Sequence, residues 1–156
     1  MSIPTILAPL VGNWSGTNHL WFFPGDPVHT SETTLKVSWV AQGQFMLVQY
    51  TWTFDGAPQD GVLLLGQASG ETVQVRWIDS FHTQEKFMSF EQPAGESEGE
   101  PGAVTVKGSY AAPSGPDWGW QIALAPKDDQ FQIIMHNITP DGEAFLAVEA
   151  TYTREG

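Results

Sequence analysis

The chain has 156 residues, with 18 Asp and Glu against six Lys and Arg, a net charge of −12, and no cysteine. Disulfides, thiolate zinc sites and a cysteine nucleophile are excluded, and so acidic a surface repels nucleic-acid backbones and anionic membranes alike. A chain of this length buries a sizeable core without covalent staples, so one domain over 1–156 is expected. No run approaches the ~18 apolar residues that span a bilayer. Met1-Ser2-Ile3-Pro4 lacks the basic and apolar segments of a secretory signal, so a cytoplasmic location is expected.

In chain order, residues 2–9 form at most one short turn, and a first strand runs near 11–23. After the turn Pro24-Gly25-Asp26-Pro27, Leu35, Val37 and Trp39 share a face opposite Lys36 and Ser38. Beyond Gln42-Gly43, residues 45–54 place Met46, Val48, Tyr50, Trp52 and Phe54 on one face. Asp55-Gly56 and Asp60-Gly61 both read as turns, since such dipeptides tolerate the positive φ of tight hairpins. A strand near 62–68 ends at Ser69-Gly70, and Val73, Val75, Trp77 and Asp79 form the next row. Residues 80–86 fit either a turn or a helix, and a strand follows near 86–91. The loop from Gln92 to Gly102, with Glu91, Glu96, Glu98 and Glu100, reads as a solvated acidic connection. The later rows are Val104, Val106 and Tyr110; Trp118, Trp120, Ile122 and Leu124; Phe131, Ile133, Met135 and Asn137; and Leu146, Val148, Ala150 and Tyr152. Proline-rich or Gly-containing turns at 113–116, 126–129 and 140–142 separate them.

Alternation with period two means strands with one row turned inward. About ten such strands joined by short connections make an all-β, antiparallel up-and-down meander. Closing it into a lipocalin-like barrel removes the exposed edges. A β-sandwich is the competing architecture, but no long crossover of the Greek-key kind is evident.

The first strand carries Leu10-Val11-Gly12-Asn13-Trp14-Ser15-Gly16, which resembles the Gly-x-Trp opening of calycins. In that superfamily the tryptophan closes one end of the barrel and a basic residue near the end of the last strand packs across it. The resemblance therefore implies that Trp14 and Arg154, in Tyr152-Thr153-Arg154, form the closing pair. The layout is most similar to the fatty-acid-binding-protein and nitrobindin branch, and to small bacterial families of unknown function. The nitrobindin likeness implies haem held by a histidine inside the barrel, for which His136 is the candidate.

If the apolar rows point inward, the cavity is lined by Trp39, Tyr50, Trp52, Trp77, Tyr110, Trp118, Trp120 and Met135, with Asp79 and Asn137 as polar groups. Aromatic walls with a few directed polar groups have the composition of a ligand pocket. The ordinary alternative is a filled core. Asp79 is the most informative residue, because a carboxylate in that row must reach the mouth, find a partner or bind something. His82 is its nearest candidate partner in the sequence.

The expectation is thus a non-enzymatic carrier or sensor of a small apolar or aromatic molecule, with no cofactor, and with homo-oligomerisation left open. Haem binding is the second reading. A small isomerase or hydrolase using Asp79 and His82 is the third, although no Gly-x-Ser-x-Gly elbow or phosphate-binding glycine loop occurs. A structural or partner-binding protein with a filled core is the fourth. His19, His29, His82 and His136 show no metal-ligand spacing, so no metal site is expected.

Overall fold

The structure is a computed structural model that describes residues 5–67, 72–93 and 103–155. Ten antiparallel strands follow a short 3₁₀ segment, Thr5–Leu10: β1 Gly12–Leu20, β2 His29–Val40, β3 Phe45–Phe54, β4 Ala57–Gln67, β5 Thr72–Asp79, β6 Met88–Pro93, β7 Val104–Tyr110, β8 Trp118–Lys127, β9 Gln130–Ile138 and β10 Ala144–Arg154. Each strand pairs with its neighbour in the chain, and β1 pairs with β10 to close the barrel. Ten-strand up-and-down closure is therefore the architecture. The turn Ser69-Gly70 and most of the acidic loop, with Glu96, Glu98 and Glu100, lie outside the described residues. Among the described residues, no helix is long and apolar enough to cross a membrane.

The alternating rows become the inside of the barrel. Met46, Val48, Tyr50 and Trp52 of β3 are buried, as are Val73, Val75, Trp77 and Asp79 of β5 and Phe131, Ile133 and Met135 of β9. Asp55 and Gly56 turn between β3 and β4 with φ of 48° and 80°, as a tight hairpin demands.

Three expectations need correction. Asp60-Gly61 is not a turn: both residues lie within β4, opposite Thr51 and Tyr50. Trp39 continues the inward row of β2, but it stands beyond the end of the core and is 40% exposed. Leu146 leaves its row because a register shift between Leu146 and Val148 turns Ala147 and Val148 inward together and Leu146 outward. The segment 80–86, open between turn and helix, is a turn.

One end of the barrel is capped by the 3₁₀ segment, whose Leu7 and Leu10 are buried. The Trp14 indole N–H donates to the Leu10 carbonyl at 2.8 Å. The Arg154 guanidinium carbon lies 4.3 Å from the Trp14 ring centre. The same guanidinium donates to the Val11 carbonyl at 2.9 Å and to the Pro9 carbonyl. It thus ties the capping segment to the last strand as well as covering the ring. Gly12 lies beneath it with φ +141°, and a Cβ there would meet Nη1 at 2.5 Å.

Arg154→Ala should lower the melting temperature by about 2–4 °C, the change expected for about 1 kcal/mol in a domain of this size. Arg154→Lys should restore only part of it, because an ammonium cannot reach both carbonyls while lying flat on the ring. An unchanged melting temperature in Arg154→Ala would remove the energetic role of this closure.

Candidate functional site

The opposite end is formed by the C-terminal ends of β1, β3 and β5 and by the turn after β5. Here Asp79, 2% exposed, is the centre of a polar network within an otherwise apolar interior. Its Oδ2 accepts from the Tyr50 hydroxyl at 2.6 Å and from the Trp52 indole N–H at 3.2 Å. Its Oδ1 accepts the backbone N–H groups of Phe81 at 2.7 Å and His82 at 2.9 Å. The Tyr50 oxygen in turn accepts from the Trp77 indole at 2.8 Å. A carboxylate has about four lone-pair directions, and four donors occupy them.

The register explains how residues so far apart in sequence meet. Tyr50, Gly61 and Asp79 stand side by side on β3, β4 and β5. Because Gly61 has no side chain, the Tyr50 ring lies across β4 and reaches Asp79. A Cβ on Gly61 would fall 2.3 Å from the Tyr50 oxygen.

Asp79 also fixes the turn. Its carbonyl accepts the backbone N–H groups of Thr83 and Gln84, and its own N–H donates to the Thr83 hydroxyl at 2.8 Å. The turn so held carries Phe81 and His82 into the mouth. The His82 ring sits 5.5 Å from Trp52, 5.6 Å from Trp77 and 5.5 Å from Trp120, measured between ring centres. It is nearly parallel to Trp52, at 21°. Phe81 packs on Trp52 and Phe54, and Phe22 packs on Phe54, Phe81 and His29, so a second aromatic layer lies outside the first. Within the described residues no hydrogen bond reaches either His82 ring nitrogen. The Trp120 indole N–H is buried without an acceptor.

Below His82 remains a cavity of about 20 Å³, lined by Asn18, Tyr50, Trp52, Asp79, Met135 and Tyr152 among others. That is room for one water molecule. Tyr152 shares a hydrogen bond of 2.9 Å with Thr33. Burial pushes its phenol up to about 12. Tyr50 is pushed well above the usual phenol range, first by burial and then by Asp79. Burial lowers the His82 imidazole, against a smaller opposing pull from Asp79.

Of the residues expected to line the cavity, Tyr50, Trp52, Asp79 and Met135 line this space, while Trp77 and Trp120 lie against the His82 ring. Tyr110, Trp118 and Asn137 form a separate group on β7, β8 and β9, where the Tyr110 hydroxyl donates to Asn137 at 2.6 Å. Trp39 is at the far end and takes no part. The pairing of Asp79 with the His82 ring is not made, since the carboxylate takes the backbone N–H instead.

His136 lies in the row of Gln132 and Ile134, paired with Gln121 and Leu146 on the outer face. Burial lowers its imidazole, and Nδ1 has no partner. A histidine so placed cannot hold a group inside the barrel, and the 20 Å³ cavity below His82 does not accommodate a haem, so these residues do not fit that cofactor. Among the described residues, no group of three or more His, Asp and Glu could hold a metal ion.

Asn18, Thr33 and Tyr152 join the site beyond the residues that the sequence implies. Asn18 alternates in step with Trp14 and Leu20, and Thr33 with Leu35, so their row was readable from the sequence.

A closed up-and-down barrel with an aromatic, carboxylate-centred mouth is the class that this geometry defines. Residues 4–154 match the family described as protein of unknown function (DUF1579), and the chain belongs to that family. No curated protein matches it. Among solved structures, it is similar to the crystal structure of Rv2717c from M. tuberculosis, with a TM-score of 0.64 and 12% identity over 99% of both chains. That likeness extends to the fold.

Gly61→Ala should cost about 1–3 kcal/mol, because displacing the Tyr50 ring leaves buried partners unsatisfied. Tyr50→Phe should cost a similar amount, and the double variant less than the sum of the two, because both leave the same buried partners unsatisfied. Full additivity in thermal or denaturant unfolding would show that Gly61 does not act through Tyr50.

Acid should destabilise the protein through its histidines. His82 and His136 are lowered in the folded chain, so below the ordinary imidazole value of about 6.5 the unfolded chain binds more protons. Their contribution is fully present above that value and is lost as pH falls through the lowered folded value. The melting temperature should decline as pH falls below about 6.5, and less steeply in His82→Phe. An equal slope in that variant would show that His82 does not carry the effect.

Proposed function

We propose that this chain is a calycin-type barrel that binds a small aromatic or apolar molecule at its mouth, without catalysis, in the space now filled by the His82 ring. One observation carries the reading: an imidazole with no ring hydrogen bond among the described residues lies within 5.6 Å of three tryptophan rings, stacked on Trp52, and the buried indole N–H of Trp120 lacks an acceptor. A buried donor left unmade costs about 1–3 kcal/mol, so a guest offering an acceptor gains what His82 does not supply. Turning His82 out requires a rotamer change, while the backbone of the turn stays anchored on Asp79. The room released is that of one imidazole added to the 20 Å³ below it, which suits a flat, ring-sized guest. An acid–base enzyme is less well supported, because the donors around Asp79 already occupy its oxygens.

The test is titration with 2-naphthol, followed by tryptophan emission, in the wild-type protein and in His82→Ala. A saturable change is expected in both, with affinity about tenfold higher in His82→Ala because the internal competitor is gone. Trp120→Ala should weaken binding by opening the wall. Absence of saturable binding in both the wild-type protein and His82→Ala would overturn the reading.

A further inference from the structure

The electrostatics of the mouth narrow the guest further. The Asp79 carboxylate is buried, and the groups that stabilise it are a phenol, an indole and two backbone amides, all of them neutral. Among the described residues no hydrogen bond or ion pair joins the Asp79 carboxylate to a cation. The six Lys and Arg of the chain, Lys36, Arg76, Lys86, Lys107, Lys127 and Arg154, are all exposed. Among the described residues the barrel therefore encloses a carboxylate and no Lys or Arg, in a protein of net charge −12.

The walls add a second contribution of the same sign. Tryptophan presents a negative π face, and it attracts a cation within about 6 Å of the ring centre. The His82 ring marks a point 5.5–5.6 Å from the centres of Trp52, Trp77 and Trp120. Trp77 and Trp120 stack on each other at 18°, and Trp52 lies nearly parallel to the imidazole. Three indole rings thus lie within 5.6 Å of one position near the Asp79 carboxylate, with Trp52 nearly parallel to the flat occupant and Trp77 and Trp120 tilted from it by 34° and 46°. The occupant at present is an imidazole that burial holds toward its neutral form.

We infer that the mouth is a site for a small planar organic cation, of the amidinium or protonated heteroaromatic kind, taken between Trp52, Trp77 and Trp120 with Asp79 as its counter-charge. This rests on the binding reading above and specifies its guest. Because the four donors fill the Asp79 oxygens, the carboxylate acts through space rather than by a salt bridge of its own. A fatty-acid carboxylate is the wrong guest for this barrel: no buried Arg or Lys would receive it, and Asp79 would repel it.

The experiment compares benzamidinium, benzamide and benzoate, which share shape and differ in charge. Binding is measured by calorimetry and by the indole N–H resonances of the wild-type protein and of His82→Ala. Benzamidinium should bind at least about tenfold tighter than benzamide, with benzoate weakest. The perturbed indole signals should be those lost in Trp52→Phe, Trp77→Phe and Trp120→Phe. Asp79→Asn should weaken benzamidinium and leave benzamide nearly unchanged. If that variant does not fold, the charge series in the wild-type protein decides alone. Benzamide or benzoate binding as tightly as benzamidinium would overturn the cation inference and leave the binding reading standing. Failure of all three, together with failure of 2-naphthol, would overturn both.

Discussion

The buried carboxylate of Asp79 is the interaction on which the mouth of this barrel depends. A lone carboxylate in an apolar interior is costly, and removing any of its partners would leave a charge short of donors. The fold meets that cost with groups from two places: Tyr50 and Trp52 on β3, and the backbone of the turn after β5. In doing so it joins two strands that are not neighbours and fixes the path of the chain at 80–84. The position of His82 among the tryptophans follows from that path. The walls, the plug and the charge of the site are thus aspects of one hydrogen-bonded centre.

The two ends of the barrel solve different problems. At the capped end, Trp14 and Arg154 satisfy carbonyls of the 3₁₀ segment and cover its apolar residues, which makes that end a permanent closure. At the mouth, closure is by rings in contact with rings, which are individually weak and largely non-directional. Among the described residues no hydrogen bond holds the His82 ring in place. On the proposed reading, this asymmetry puts an anchored backbone next to a side chain that a guest could replace, as a binding site requires if its frame is to survive.

The sequence disclosed faces better than depths. Period-two rows identified the inward residues of β3, β5 and β9, because alternation is a local property of a strand. The same rule placed Trp39 inside, and there it failed: parity does not say how far along the barrel axis a residue stands. Leu146 was misplaced because the register shift that follows it has no signature in residue type. Asp60-Gly61 has the composition of a turn, yet Gly61 serves a strand, where its missing side chain makes way for Tyr50. That role is visible only once β3, β4 and β5 are in register.

Asp79 was legible as an anomaly, and the anomaly was informative, but its partners were not. Sequence proximity favoured the His82 side chain as the group that would answer the carboxylate. Geometry favours the His82 backbone, because a residue three positions on in a tight turn presents its N–H to the side chain behind it. That leaves the imidazole without a polar role and delivers it to the aromatic cage. The same constraint separates two ideas that the sequence allowed to merge. If Asp79 and His82 worked as an acid–base pair, each would have to be withdrawn from the structure it now maintains. If instead the carboxylate stays where it is, it supplies a fixed negative field at the base of the cage. The imidazole then becomes a stand-in for a guest, and the charge of that guest is the property by which the cage would choose.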